Sequence, residues 1–229
     1  MGKRFLWLVG LCCVLAAPSV ARADLINGGF EAYPQTANNY SDYTDSAYAG
    51  WRTTEGDHQI EVWGTGFQGV AAYQGGNFVE INANAVSTLY QDVSGIPAGA
   101  LLSFAFAHRG RLGTDTMKLL LTDLGRSGIY GAEDNTVLYS GTYSDGNTAW
   151  GAYSSTGLAP ISSLGDVVRM SFISVSAAGG NATYGNFIDA VSLSGQVGVQ
   201  STAVVPEPGT LALLAAAFGG VLLLRRRTA

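Results

Sequence analysis

The sequence predicts an all-β sandwich, on three observations. The chain is rich in Gly, Ser, Thr, Tyr and Val and poor in strong helix formers. Its apolar runs are short and are broken by Gly, Asn, Asp and Pro. Before residue 200, no long stretch carries the apolar spacing of an amphipathic helix. Short strands at this spacing suit two sheets packed face to face.

Strands are expected at 25–26, 59–63, 77–82, 88–93, 100–108, 117–122, 137–143, 149–154, 167–175 and 186–194. Parity assigns their faces, because successive side chains point to opposite sides of a strand. Ile60 and Val62 oppose Glu61 and Trp63, while Glu80 and Asn82 share a face with Phe78. Leu102, Phe104 and Phe106 form one face and Arg109 lies on the other. Val168, Met170 and Phe172 face inward and Arg169 outward. In the last strand Phe187, Val191 and Leu193 share a face, and Asp189 falls on it too. A carboxylate on a core face is costly unless it is paired, hydrogen-bonded or bound to a cation.

The ends of the chain read differently. Lys3 and Arg4 precede an apolar run at 5–17, and Ala21-Arg22-Ala23 has the form of a signal-peptidase site. Residues 1–23 therefore read as a signal peptide for the Sec route. Both cysteines, Cys12 and Cys13, fall inside it, so the mature domain at 24–194 has neither thiol nor disulfide. Residues 195–204 lack periodicity and read as a linker. In the final segment, 205–229, Pro206 and Pro208 bracket Glu207 and hold the chain extended. A hydrophobic helix at about 209–224 follows, then Arg225, Arg226 and Arg227. The apolar run is short against the roughly 20 residues of a comfortable span, and the Arg cluster marks the cytoplasmic side.

Val205-Pro206-Glu207-Pro208, the hydrophobic helix and the Arg cluster resemble the PEP-CTERM sorting signal of Gram-negative bacteria. That resemblance implies an exosortase as processing partner and transient membrane insertion through the helix. Cleavage near the Pro-Glu-Pro motif and release to the cell surface or extracellular matrix would follow. The residues ahead of Val205 are then cargo.

Six basic and sixteen acidic residues lie between 24 and 204, a net charge of −10. Such a domain repels phosphate backbones, which argues against nucleic acid as a partner. It suits solubility, cation binding and neutral sugars.

The opening Asn27-Gly28-Gly29-Phe30-Glu31 and the terminal Ile188-Asp189-Ala190-Val191 resemble the galactose-binding-like jelly rolls, which include several carbohydrate-binding modules. The resemblance implies a jelly-roll β-sandwich and one structural calcium ion near the joined ends of the domain. Carried over by position, Glu31 and Asp189 are its candidate ligands, and oxygen ligands suit calcium. The alternative is an exposed Glu31 and an Asp189 that caps neighbouring backbone amides.

For a glycan ligand the candidates are Trp51, Glu61, Trp63 and Arg109. An aromatic plate covers the C–H face of a sugar while carboxylate and guanidinium groups read its hydroxyls. Against this, Trp51 and Trp63 suit a core, and Arg109 suits an ion pair with Glu61 or Glu80. No G-x-S-x-G, H-E-x-x-H or P-loop occurs. Acid pairs such as Glu61 and Glu80 are the remaining route to a glycan hydrolase. The expectation is a non-catalytic surface or matrix protein that binds or organises exopolysaccharide. A purely structural or adhesive role, or a hydrolase, is the alternative.

Overall fold

Alternating apolar and polar residues build two antiparallel sheets that enclose one main core. A computed structural model describes residues 23–197 apart from 166 and 182. The expected signal peptide apart from Ala23, most of the linker, the helix at 209–224 and the sorting residues lie outside the described residues. Among the described residues no helix is long and apolar enough to cross a membrane.

Thirteen strands are described: β1 (Ala23–Asp24), β2 (Tyr40–Thr44), β3 (Arg52–Thr53), β4 (Gln59–Gly64), β5 (Asn77–Glu80), β6 (Thr88–Ser94), β7 (Leu101–Arg109), β8 (Asp115–Asp123), β9 (Thr136–Asp145), β10 (Gly151–Ser154), β11 (Ile161–Ser162), β12 (Val167–Ser176) and β13 (Phe187–Gln196). Sheet A runs β10-β7-β13-β5-β4-β2, with β1 beside β13 and β11 beside β7. Sheet B runs β3-β6-β12-β8-β9. Strand β13 extends two residues into the segment expected as linker. The short strands β2, β3 and β11 were not expected, and the pairing expected at 25–26 is made by β1 instead.

The inward rows match the parity reading for most strands. Ile60, Val62, Leu102, Phe104 and Phe106 from sheet A pack against Leu119, Val168, Met170 and Phe172 from sheet B. Burying each such side chain contributes about 1.5–3 kcal/mol, and this is the main source of stability in a domain without disulfides.

The last strand departs from its expected parity. Its register against β7 shifts between Asp189 and Ser192, and Ala190 adopts a left-handed φ of 50°. A bulge inserts one residue and exchanges the faces beyond it. Ile188, Val191 and Leu193 therefore join the main core. Phe187, and Asp189 two residues on, belong to the outer face of sheet A. There Phe187 packs with Trp63, Val70 and Phe78 in a second, smaller cluster.

The Asn-Gly turn before Phe30 seats against this bulge. The Gly28 carbonyl accepts the Val191 N–H at 2.8 Å. A Cβ at Gly28 would stand 1.8 Å from the Val191 oxygen, so only glycine permits the approach. Asn27 then accepts the Trp51 indole N–H on its carbonyl at 3.0 Å. The described residues all lie in one compact unit.

Candidate functional site: the outer face of sheet A

Register places two rows of side chains across β2, β4 and β5. Tyr40 opposes Trp63, which opposes Phe78. Two residues along, Asp42 opposes Glu61, which opposes Glu80. All six occupy the outer face, because Ile60, Val62 and Val79 between them point into the core. An aromatic row thus runs beside an acidic row. Like charges directly opposite one another on a sheet are destabilising, so the acidic row needs a compensating partner.

Arg111 supplies part of it. Its guanidinium lies 4.7 Å from the Trp63 ring centroid and 4.2 Å from that of Tyr184. Nη1 reaches the Glu80 carboxylate oxygens at 2.9 and 3.1 Å. Glu80 also accepts the Gly185 N–H at 2.5 Å. Burial and the neighbouring Glu61 nevertheless hold the Glu80 carboxyl well above the usual carboxylate range. Burial pushes Glu61 up to about 7, against the hydrogen bond its Oε1 accepts from the Trp63 indole at 2.5 Å. Asp42 is raised by burial and then by Asp57. Glu55 is raised to about 7 by burial and then by Asp57. Arg111 acts on Glu80 and Glu61, while Asp42 and Glu55 face Asp57, so this face is short of positive charge.

The row borders an open cleft of about 230 Å³, lined in part by Tyr40, Glu61, Phe67, Asn84, Arg111 and Tyr184. Tyr40 is 43% exposed and packs 5.1 Å from Phe67. The turn Phe67–Gly69 carries Phe67 over Trp63, edge-on at 4.6 Å. Buried polar atoms nearby have no hydrogen-bond partner: both side-chain atoms of Asn82, and Arg111 Nε. Asn82 is fully buried. It follows inward-facing Ile81, whose N–H still pairs with the Asn186 carbonyl, so Asn82 continues the outer face beyond Glu80.

The residues expected to hold sugar are placed as follows. Glu61 lines the cleft. Trp63 lies on the expected face but is 0% exposed, because Phe67 and Phe187 cover it. Trp51 is also 0% exposed, in the main core against Phe30 and Phe172. Its indole N–H is consumed within the fold, so it offers no plate to a ligand. Arg109 is outward and half-buried, but its guanidinium donates to the Asn147 carbonyl, away from the acidic row. Arg111, two residues on, makes the ion pair with Glu80. Tyr40 and Tyr184 were not singled out from sequence. The polar alternation of Tyr40-Ser41-Asp42-Tyr43-Thr44 was the available signal for β2.

Glu31 and Asp189 both grip the loop ahead of β5. Asp189 is fully buried; its Oδ2 accepts the Gln74 N–H at 2.9 Å and its Oδ1 the Ala190 N–H at 2.6 Å. Burial still raises its carboxyl to about 6. Glu31 Oε1 accepts the N–H groups of Gly76 and Asn77 at 2.7 and 2.9 Å. Among the described residues no three acidic, His or Cys side chains stand together to hold a metal ion. In this structure the two carboxylates are satisfied by backbone amides.

Comparison with known proteins bears on the tail and on the fold. The PEP-CTERM protein-sorting motif matches residues 204–227, which implies an exported, exosortase-processed surface protein. No curated protein matches the chain. Among solved structures, the domain is similar to a family 61 carbohydrate-binding module in complex with β-1,4-galactotriose, at 20% identity and a TM-score of 0.47, over 76% of this chain and 98% of that one. It is also similar to the C-terminal family 22 carbohydrate-binding module of Clostridium thermocellum Xyn10B, at 16% identity and a TM-score of 0.44, over 72% and 98% of the two chains. A third is the xylan-binding domain of Paenibacillus barcinonensis Xyn10C, at 14% identity and a TM-score of 0.45, over 69% and 99%.

Proposed function

We propose that the domain is a non-catalytic, jelly-roll glycan-binding module that holds exopolysaccharide at the cell surface through the outer face of sheet A. The observation that carries this reading is the paired rows: Tyr40-Trp63-Phe78 beside Asp42-Glu61-Glu80. Tyr40 and Tyr184 offer ring faces to sugar C–H groups, while Glu61, Asn84 and Arg111 meet hydroxyls. Glu80 does not serve as a hydrolytic acid or base in this reading. Its side chain is fully buried and its oxygens are engaged by Arg111 and Gly185. The sorting motif supports delivery to a surface rich in polysaccharide.

The test is co-sedimentation of the released protein with surface polysaccharide from the producing cells. Tyr40→Ala is expected to weaken binding about tenfold, the loss of one stacking contact, without a change in melting temperature. Unchanged binding by Tyr40→Ala removes the cleft as the site. Absence of any glycan binding by the wild type favours the structural or adhesive role.

A calcium ion at Glu31 and Asp189 belongs to the same proposal. Both side chains close on one loop, between the first turn and the last strand. An ion there would neutralise the buried Asp189 and join the two ends of the domain.

A further inference from the structure

The acidic row beside the cleft reaches its wall at Glu61, and a neutral sugar does not relieve it. Asp42, Glu61 and Glu80 stand opposite one another in register. Glu55, itself 5% exposed, adds a further carboxyl, held by the backbone amides of Asn84 and Ala85. Asp57 is close enough to raise both Asp42 and Glu55. Against five acids stands Arg111, already paired with Glu80. Of these groups Glu61 lines the cleft, where a cationic ligand can offset its charge.

The walls select the kind of cation. A metal ion needs oxygen ligands converging at short range, and of the acidic side chains only Glu61 lines the cleft. The cleft instead combines carboxylate with aromatic rings from Tyr40, Phe67 and Tyr184. Aromatic faces beside carboxylate are how proteins hold an organic ammonium group. A ring sugar bearing a free amine presents both a C–H face and an ammonium group.

Building on the glycan-binding reading, we propose that the cleft recognises an amino sugar with a free amine, as in a de-N-acetylated hexosamine polysaccharide. The ammonium group lies against Glu61, and its ring stacks on Tyr40 or Tyr184. Asn84 and Arg111, which line the same cleft, meet the remaining polar groups of the sugar residue. A free carboxylate on the sugar is excluded by the acidic row. The raised protonation range of Glu61 supports the assignment, since an arriving ammonium takes the place of the proton that Glu61 retains near neutral pH.

The experiment is calorimetric titration of the exported protein at pH 7 with two oligosaccharides of equal length, one of glucosamine and one of N-acetylglucosamine. The expected result is at least about tenfold tighter binding of the glucosamine oligomer. Glu61→Gln should bring the ratio of the two affinities close to one, with its fold checked by circular dichroism. Salt should weaken the glucosamine oligomer selectively, because its preference is electrostatic. Equal binding of both oligomers overturns the amine assignment and leaves the glycan reading standing. So does a preference that survives Glu61→Gln. Binding of neither oligomer, in a protein that retains surface polysaccharide through Tyr40, also overturns it. Binding of neither, with no polysaccharide retained, removes both.

Discussion

Two arginines on opposite faces of the sandwich make nearly the same contacts and end in different surroundings. On sheet B, Arg169 lies 3.9 Å from the Tyr90 ring and 4.5 Å from that of Tyr130, and binds Asp92 through Nε and Nη2 at 2.6 and 2.7 Å. On sheet A, Arg111 lies between Trp63 and Tyr184 and binds Glu80. The first clasp is complete: one guanidinium, one carboxylate, and Tyr130 drawn over the sheet. The second leaves Asp42, Glu55 and Glu61 without an equivalent partner, beside an open cleft. A satisfied polar group holds a fold together; an unsatisfied one beside a cavity points to a ligand.

The comparison predicts unequal costs. Arg111→Ala strands the fully buried Glu80 side chain and should destabilise by about 3–5 kcal/mol in urea unfolding. Arg169→Ala frees an Asp92 whose side chain is 39% exposed, so it should cost no more than about 1 kcal/mol. Similar costs for the two would mean that the clasps do the same structural work. Trp51→Ala should cost about 3–5 kcal/mol as a core deletion, with ligand affinity unchanged in the protein that remains folded. A ligand effect there would return Trp51 to the site.

The calcium proposal predicts the next effect in size. At a hundredfold excess over its dissociation constant an ion bound only to the folded state adds about 2.7 kcal/mol. A chelator should lower the melting temperature and calcium restore it, with Asp189→Ala blind to both. Melting indifferent to chelation, in protein that contains no cation, would leave Asp189 held by the Gln74 and Ala190 amides alone.

A smaller effect arises from protonation. Glu55 and Glu61 both rise from 4.5 to about 7 on folding. The folded state thus keeps protons that the unfolded chain has lost. Stability from these groups is fully present below about 4.5, falls as pH rises towards about 7, and is level above. Removing Glu61 as Glu61→Gln should flatten this fall. The stability difference between variant and wild type, followed across that window, isolates Glu61 together with the part of the Glu80 shift that Glu61 causes. A difference that does not change with pH would place Glu61 in an ordinary, solvated setting.

Much of the fold was legible because alternation is local. Leu102, Phe104 and Phe106, or Val168, Met170 and Phe172, declare their shared face with no knowledge of their neighbours. The face of Asp189 was not legible, since one bulge at Ala190 reverses parity and nothing in Asp189-Ala190-Val191 announces it. The site was half legible. Glu61 and Trp63 were placed on the right face, but burial of Trp63 depends on Phe67, which reaches it from a turn. Arg111 was passed over for Arg109 because strand parity stops at Arg109, where the chain leaves β7 and enters a loop. Tyr40 was missed because β2 is a short edge strand of mostly polar residues. The alignment of Asp42, Glu61 and Glu80 is a matter of register between strands, which no single segment contains.

Hydrogen exchange of the exported protein, with and without surface polysaccharide, tests the central claim most directly. The account predicts that bound polysaccharide slows exchange in Tyr40–Thr44, in Phe67–Gly69 and at residues 183–185, and leaves Val167–Ser176 and residues 124–135 unchanged. Protection confined to the Arg169 face, or spread equally over both faces, would contradict it.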